Sequence, residues 1–178
     1  MEMKSTRGKP PASRIYAEIR QGKPFRRPEP ELAVVLLRTG DVLHHSLSRA
    51  LAPQGVSHEQ YNALRILRGA AEEGHPTLEI SRRLVSRSPN ITRLVDKLVA
   101  KGLARRDRNA DDRRQAVVRI TPAGLKVTAE GDRAIESVLA KLRRLSAAEM
   151  KAAVGLLDRI REAVAVTTVQ ESLRSEDS

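Results

Sequence analysis

Residues 88–124 read SPNITRLVDKLVAKGLARRDRNADDRRQAVVRITPAG, and this stretch decides the fold. Its first part has apolar residues at helical spacing, which would form one buried face: Ile91, Leu94, Val95 and Leu98. The opposite face carries polar or charged side chains: Asn90, Thr92, Arg93, Asp96 and Lys97. Ser88 and Pro89 predict the helix start and Gly102 its end. Such a helix can dock by its apolar face while its polar face reaches base edges in a major groove. The alternative is an ordinary amphipathic surface helix.

Two short strand-like runs follow this helix, at residues 103–106 and 115–121, and predict a β-hairpin. The connection at residues 107–114 is polar apart from Ala110 and combines arginines with aspartates. A hairpin tip beside a recognition helix can insert an arginine into a minor groove, where the narrow negative channel favours guanidinium. The aspartates are expected to hold arginine side chains extended before DNA arrives. The alternative is a surface loop whose ion pairs each contribute little.

The residues before position 88 predict helices at 31–51, 57–74 and 77–85. Ser57 and Gln60 form a capping box, which marks the start of the second of these helices. Two short helices joined by a tight turn indicate a helix-turn-helix. Three residues lie at the start of the helix predicted from residue 88, where the unpaired N–H groups of a helix attract phosphate: Ser86, Arg87 and Ser88.

The net charge of +11 is concentrated in two segments. Residues 1–30 contain eight basic against three acidic residues, and residues 86–119 contain ten against four, whereas the rest of the chain balances. This distribution is typical of a local contact with a polyanion, and the leading candidate is nucleic acid. The alternative is a solvated face that keeps the protein in solution.

Several classes of protein are excluded or disfavoured by composition. Without cysteine there is no disulfide framework and no zinc-thiolate site. Neither a long apolar run nor a signal peptide is present, so we expect a cytoplasmic protein that does not bind membranes. No Gly-rich phosphate loop, nucleophile elbow or metal-spaced histidine motif is present, so we expect no enzyme. Aromatic residues make up 2% of the chain, which favours duplex DNA over RNA or single strands.

The terminal segments predict an arm and a dimerisation region. Residues 1–30, with several prolines among basic residues, predict a flexible or partly folded arm with a short helix at 15–21. A helix from Pro122 to about Leu145 and another opened by a Ser146–Glu149 capping box follow the hairpin. Their apolar stripes would be buried best against a second copy of the chain, although packing within one chain is an alternative.

The order of these elements resembles the MarR family of transcription regulators over roughly residues 31–166. The resemblance rests on the SPNITRLVDKL helix, on Gly102-Leu103 and Arg105-Arg106, and on the hairpin signature, in which Asp112-Arg113-Arg114 is followed by a valine-containing strand and Thr121-Pro122-x-Gly124. It implies a winged helix-turn-helix in a homodimer. It also implies that the helix at 88–101 enters the major groove, with Arg114 in the minor groove and Asp112 as its orienting partner.

The predicted fold is therefore mainly α with a small β-hairpin wing, a winged helix-turn-helix with N- and C-terminal dimerisation helices. The predicted organisation is an arm at 1–30, a dimerisation region at 31–56 and 122–168, a DNA-binding lobe at 57–121 and a polar tail at 169–178. The arm is longer than the usual N-terminus of the family and would add either dimer contacts or phosphate contacts.

The predicted function is a sequence-specific regulator that binds a pseudo-palindromic duplex operator as a homodimer, as a repressor released by a small organic effector; the alternative is a sequence-tolerant architectural DNA-binding protein. No cofactor or metal is predicted.

The DNA-binding candidates are Ser86, Arg87, Ser88, Asn90, Thr92, Arg93, Lys97, Arg106, Arg108, Asp112, Arg113 and Arg114. The dimerisation candidates are Leu32, Val35, Leu36, Leu156, Leu157, Ile160 and Val164. By resemblance, a phenolic or otherwise aromatic acid would bind in a cleft that could be lined by His44, His45, Tyr61 and Arg65, each of which could equally be structural.

Overall fold

Helices make up most of the described chain and are accompanied by one small antiparallel sheet. The computed structural model describes residues 14–70, 72–86, 90–108 and 116–175; for residue 108 and residues 166–175 it describes the backbone only. The predicted fold class, mainly α with a small β wing, is confirmed. None of the helices in these ranges is both long enough and apolar enough to cross a membrane. The chain divides into two units, Met1–Arg49 and Ala50–Ser178.

The first unit contains a short helix and most of a long one. Helix α1 spans Ile15–Glu18, within the short helix predicted at 15–21. Helix α2 spans Pro28–Leu51 and begins three residues before the predicted start. Proline is tolerated in a first turn because its missing N–H would be unpaired there, and Glu29 and Glu31 complement the positive helix end. The proline-rich composition of the arm therefore does not keep residues 14–30 unfolded.

The second unit begins with a 3-10 turn at Ala52–Gln54 and continues into helix α3, which spans His58–Gly69. The predicted capping box is present: the Ser57 side chain accepts from the Gln60 N–H, and the Gln60 side chain accepts from the Ser57 N–H at 3.2 Å. Helix α4 spans Thr77–Arg83 and helix α5 spans Ile91–Ala100. These three helices supply most of the fully buried core, which includes Leu64, Leu67, Ile80, Val95 and Leu98.

The sheet has three strands, one more than the predicted hairpin. Strand β1 spans His75–Pro76, β2 spans Ala104–Arg108 and β3 spans Ala116–Ile120, in the order β1-β3-β2. The prediction of a polar tip beginning at residue 107 is corrected, because Asp107 and Arg108 belong to β2 and pair with Val117 and Ala116. Along β3, Val117 and Val118 are both buried, so buried and exposed positions do not alternate strictly.

Two further helices complete the chain. Helix α6 spans Pro122–Leu139, and a 3-10 turn at Ala140–Arg144 replaces the last predicted turns. Helix α7 spans Ala147–Ser175 and is opened by the predicted Ser146–Glu149 capping box. Its backbone continues past residue 168 into the segment predicted as a tail. From residue 147 to residue 165 its side chains are exposed or half-exposed, so this described part of α7 contributes nothing to the core of the single chain.

Candidate nucleic-acid interface

Helix α5 has the two faces that its sequence predicts. Leu94, Val95 and Leu98 are buried, whereas four charged or polar side chains on the other face are exposed: Thr92, Arg93, Asp96 and Lys97. The start of the helix differs from the prediction. Asn90 caps it by accepting from the Arg93 N–H at 2.9 Å, so the helix begins at Ile91 and not at Ser88-Pro89. An asparagine oxygen satisfies an unpaired N–H as well as a serine oxygen does.

The C-terminal end of α5 is anchored to the start of α3. The Lys101 ammonium donates to the Gly55 carbonyl oxygen at 2.5 Å and to the Gln60 side-chain oxygen at 3.1 Å. Gly102 then adopts a φ of 68°, the left-handed conformation that commonly ends helices. The chain reverses there and enters the sheet, so both the position and the direction of α5 are determined by contacts inside the lobe.

The segment between α4 and α5 is tied to α3 by one bond. The Val85 N–H donates to the Asn62 side-chain oxygen at 3.0 Å. Within α4, Arg83 donates to Glu79 at 2.6 Å, and its guanidinium lies 3.1 Å from the His75 Nε2 atom of β1. Ser86, one of the predicted phosphate contacts, is exposed at the end of this segment.

Ion pairs connect the base of the hairpin to α5 and across its own strands. The Arg106 guanidinium of β2 lies 2.6 Å from the Asp96 carboxylate of α5. Asp107 accepts from Arg105 on the same strand and from Arg119 on β3, at 3.1 and 2.9 Å. Arg119 also donates to the Glu72 carbonyl oxygen at 2.6 Å. Aspartates here do hold arginine side chains in place, but at the base of the hairpin.

The Thr-Pro-x-Gly motif joins the sheet to α6 by close backbone contact. Thr121 caps α6 by accepting from the Gly124 N–H at 3.1 Å, and its hydroxyl donates to the Gly102 carbonyl oxygen at 2.7 Å. A Cβ atom at Gly124 would lie 2.1 Å from the Leu103 carbonyl oxygen. Only glycine fits this approach, so the motif holds the start of α6 against the end of the α5–β2 connection.

A polar cluster joins α3 to α6. The Tyr61 hydroxyl donates to Asp132 at 2.6 Å, and Arg68 donates to the other carboxylate oxygen at 2.6 Å. The Arg65 guanidinium lies 5.9 Å from the centre of the Tyr61 ring. Burial, reinforced by the hydrogen bond to Asp132, raises the pKa of Tyr61 to about 12. Burial alone would raise the pKa of Asp132, but the hydrogen bonds from Arg68 and Tyr61 outweigh it and lower that pKa below its usual value.

Comparison with known proteins points to one family. The MarR family model matches residues 56–116, the segment from the start of α3 to the start of β3. The crystal structure of a MarR transcription factor from Planctomyces limnophilus is 32% identical, with a TM-score of 0.58, over 76% of this chain and 98% of that one. The chain belongs to the MarR family.

This MarR-family chain is also similar to one curated transcriptional regulator and to two solved structures, one with DNA and one with a small molecule. The HTH-type transcriptional regulator PapX of Escherichia coli is 33% identical over 104 residues, which are 57% of this chain and 61% of PapX, less than two thirds of that relative. The Staphylococcus aureus MepR–DNA complex has a TM-score of 0.66 at 18% identity, over 74% of this chain and 95% of MepR. CouR from Rhodococcus jostii RHA1, solved with p-coumaroyl-CoA, has a TM-score of 0.62 at 18% identity, over 79% and 93%. At these identities the last two comparisons show the fold alone.

Family membership agrees with the prediction that the chain is not an enzyme, because the members matched here are transcription regulators. It also agrees with the predicted winged helix-turn-helix. The residue assignments made from the sequence are a separate matter, since they concern individual side chains.

The structure brings several of the predicted DNA-binding residues of this MarR-family chain onto one exposed helix face and one strand. Thr92, Arg93 and Lys97 share the exposed side of α5, and Arg106 pairs with Asp96 of the same helix. Asn90 lies at the helix start, where its oxygen is used for capping. The remaining predicted contacts, apart from Ser86, lie outside the described residues or side chains: Arg87, Ser88, Arg108, Asp112, Arg113 and Arg114.

The four effector candidates fall in different environments. His44 and His45 are exposed on α2 in the first unit. Tyr61 in the second unit is only 3% exposed and donates its hydroxyl to Asp132. Arg65 is exposed on α3, 4.0 Å from Asp132. Their assignment to an effector stays a prediction.

Three residues that position the interface were missed from the sequence. Lys101, Arg119 and Asp132 each contact a group that is 40 or more positions away in the chain. Lys101 and Arg119 look like ordinary members of the basic segment, and Asp132 looks like a polar position on an amphipathic helix. The one available signal was the aspartate and arginine content of the hairpin, which pointed correctly to mutual pairing but not to the partners.

Proposed function

We propose that this protein is a homodimeric, sequence-specific regulator that binds duplex DNA through α5 and the wing. The observation that carries the proposal is α5 itself: on one side Leu94, Val95 and Leu98 are buried to 8% exposure or less and Ile91 is half-buried, and the other side presents Thr92, Arg93 and Lys97 to solvent. Asn90 caps the start of the helix, and Lys101 holds its C-terminal end against the start of α3. A helix presented rigidly in this way is what major-groove recognition requires.

The exposed side chains of α5 can make both kinds of contact that an operator needs. Arginine can bond two acceptors on guanine, and threonine can contact a base or a phosphate, whereas Lys97 suits a phosphate as a point charge. The oxygen of Asn90 is used in capping, but its NH₂ group retains two donors. We assign sequence recognition to Thr92, Arg93 and Asn90, and backbone contact to Lys97, Ser86, Arg87 and Ser88.

The wing would reach the neighbouring minor groove. Its base is supported on both sides, by the Arg106–Asp96 pair and by Arg119, which bonds Asp107 and the Glu72 carbonyl. A base held in this way limits where the tip can point. We propose, from the family resemblance, that Arg114 enters the minor groove with Asp112 orienting it, and that Arg108 and Arg113 contact the backbone.

Dimerisation is proposed from apolar side chains that the single chain leaves exposed. On α7 these are Leu156, Leu157 and Val164, which are 52, 40 and 65% exposed. On α2, Leu32 is 43% exposed, and Val35 and Leu36 are half-buried. Apolar rows of this length on soluble proteins commonly mark an interface. We assign α7, with Ile160, and α2 to the dimer, in keeping with a dimerisation region at 31–56 and 122–168 and a DNA-binding lobe at 57–121.

A dimer places two copies of α5 in one complex, so the expected operator is an inverted repeat with half-sites about one helical turn apart. We further propose that the protein acts as a repressor and that a small organic effector releases it. The support for the effector is the fold shared with CouR, which was solved with p-coumaroyl-CoA. His44, His45, Tyr61 and Arg65 remain the candidates for contact with such a molecule, and no metal is proposed.

The test is selection of bound sequences from a random duplex library, with excess non-specific competitor DNA. Enrichment of an inverted repeat is the expected result, and it would supply the operator for effector screening. Retention of DNA without an enriched motif would contradict sequence specificity and favour an architectural protein that clamps the backbone. Absence of binding would contradict the proposal altogether.

A further inference from the structure

Residues 14–27, which precede α2, are folded, and their fold is held by Tyr16. The Tyr16 hydroxyl donates to the Glu31 carboxylate of α2 at 3.0 Å and accepts from the Phe25 N–H at 3.3 Å. The two aromatic rings lie 5.4 Å apart. The chain therefore turns after α1 and brings Phe25 back against Tyr16. A flexible arm would not hold these contacts.

This fold displays basic residues along one turn. Arg20, Lys23, Arg26 and Arg27, which we call the basic turn, are all exposed. Glu18 is the single acidic residue between positions 14 and 27, and its carboxylate lies 3.5 Å from Arg38 of α2. Among the described residues no acidic side chain pairs with the basic turn, so its positive charge is not neutralised within that part of the protein.

The backbone at Arg20, just after α1, has a left-handed conformation. Arg20 has a φ of 54°, the left-handed conformation that normally favours glycine at the end of a helix. An arginine at this position costs conformational free energy that glycine would avoid. The exposed Arg20 side chain therefore projects from a left-handed turn at the end of α1.

We infer that the basic turn is a second DNA contact, which binds the phosphate backbone of duplex DNA. Arginine and lysine on a preformed turn lose less conformational freedom on binding than the same residues in a flexible chain. The other concentration of positive charge in this chain, at residues 86–119, is the interface already proposed for duplex DNA. The inference rests on that proposed function and extends it to a segment outside the winged helix-turn-helix. Since phosphate contacts do not depend on base sequence, the basic turn raises affinity for all duplexes alike.

The test compares two variants from which equal charge is removed. In one, the basic turn is neutralised (R20Q, K23Q, R26Q and R27Q); in the control, four exposed basic residues of α6 and of the 3-10 turn that follows it are neutralised (K126Q, R133Q, K141Q and R144Q). Binding is measured over a range of salt concentrations, on the selected operator duplex and on a duplex without the operator. The salt slope of the basic-turn variant is expected to fall by about 0.9 for each phosphate that it no longer neutralises, on both duplexes. The slope of the control is expected to stay within error of the wild type.

The outcomes separate this inference from the proposed function. If the wild type fails to bind duplex DNA, the proposed function is wrong. If the wild type binds and the basic-turn variant has the same slope as the wild type, or the slope of the control falls as much as that of the variant, the second contact alone is wrong. Tyr16→Phe keeps every charge but removes the two hydrogen bonds of the hydroxyl, and we expect several-fold weaker binding. Full affinity for Tyr16→Phe would contradict a preformed turn.

Discussion

Helix α7 and the lobe at residues 57–121 differ in how far their apolar side chains are exposed to solvent. In the lobe, Leu64, Leu67 and Leu98 are fully buried. On α7, Val154, Leu156 and Val164 are each more than half exposed. In the lobe the same chain covers these side chains, whereas on α7 the described part of the chain leaves them uncovered. One region is complete within a single chain, and the other is expected to be completed by a second chain.

The polar groups follow the same division. In the lobe, bonds between distant residues connect the elements, such as Lys101 to Gly55 and Arg119 to Glu72. On α7, the Ser146–Glu149 cap and the Arg161–Asp158 pair join residues only three positions apart. A lobe that has to hold its proposed recognition helix, α5, in one position needs contacts between residues that are distant in the sequence. Helix α7, which we propose pairs with its own copy, would obtain its long-range contacts from the partner.

The largest effect, on the free energy of unfolding, is expected from removing a buried side chain from the core of the lobe. Leu98 is fully buried, so Leu98→Ala should lower the free energy of unfolding by about 2–5 kcal/mol, from reduced burial and a residual cavity. The matched control is Leu78→Ala on α4, where the side chain is 62% exposed and the decrease should be within about 0.5 kcal/mol. Chemical denaturation measures both. Equal decreases would mean that the lobe does not depend on its own core.

The next effect tests whether α7 is completed by a second chain. Leu157→Glu places a charge in the proposed interface and should weaken dimerisation by at least about 30-fold, equivalent to about 2 kcal/mol. Ala152→Glu is the control, because it lies on a different side of the helix at 100° per residue. Sedimentation velocity gives the oligomeric state. A Leu157→Glu protein that remains dimeric would assign the interface elsewhere.

A somewhat smaller effect is expected at the wing. Arg114→Ala should weaken binding to the selected operator about tenfold or more at constant salt, since each phosphate or minor-groove cation contributes roughly 1 kcal/mol or more. Arg133→Ala, an exposed arginine on α6, removes the same charge and should change the affinity little. An Arg114→Ala protein with the affinity of the wild type would exclude the wing from the mechanism.

The cluster that joins α3 to α6 should make stability depend on pH. The pKa of Asp132 is lowered in the folded protein, so its carboxylate stabilises the fold above its unfolded pKa of about 3.9, and this contribution is lost as pH falls through the folded pKa. Asp132→Asn should cost about 1 kcal/mol at pH 7, a value kept small because the carboxylate is partly exposed.

Melting temperatures of the wild type and the Asp132→Asn protein, measured between neutral pH and about pH 3, provide the check. The difference between them should shrink as the pH falls. If the difference in melting temperature stayed constant with pH, the charge of Asp132 would not contribute to stability.

The smallest effect is expected from the pair that links α5 to the wing. Arg106 and Asp96 are 37 and 52% exposed, and pairs of this exposure contribute about 0–1 kcal/mol. A double-mutant cycle with Asp96→Asn and Arg106→Gln measures that coupling. The same cycle on operator affinity should show a larger coupling than on stability, if the pair aligns the wing with the helix. Equal couplings would limit the pair to a structural role.

Much of the fold could be predicted because its signals are local. The capping boxes at Ser57 and Ser146 are each contained in four residues, and the structure has both. The buried face of α5 follows from side-chain spacing alone. The start of α5 was predicted wrongly, since Ser88 and Asn90 are both good caps and only the path of the chain decides between them. Strand β1 was missed, because two residues carry no periodicity and His75-Pro76 is a strand only by pairing with β3.

The candidate interface divides in the same way. Which side of α5 faces outward was predictable, whereas the bonds that Lys101 and Arg119 make within the lobe were not. The partner of Arg106 was equally hidden, because it is Asp96 on a different element. An arginine in a basic segment has several acidic groups within reach along the sequence, and the fold selects one of them. The wing residues Asp112 to Arg114 remain predictions from the resemblance.

The amino-acid sequence by itself determined the helices, the family and the two concentrations of positive charge, since each depends on neighbouring residues or on a pattern of a few dozen positions. Only the tertiary structure decided that residues 14–27 fold back on α2, that Tyr61 bonds Asp132, and that Gly124 lies against Leu103. The physical reason is distance along the chain. Local propensity acts over about one helical turn, whereas these contacts depend on where the packing of the core places distant groups.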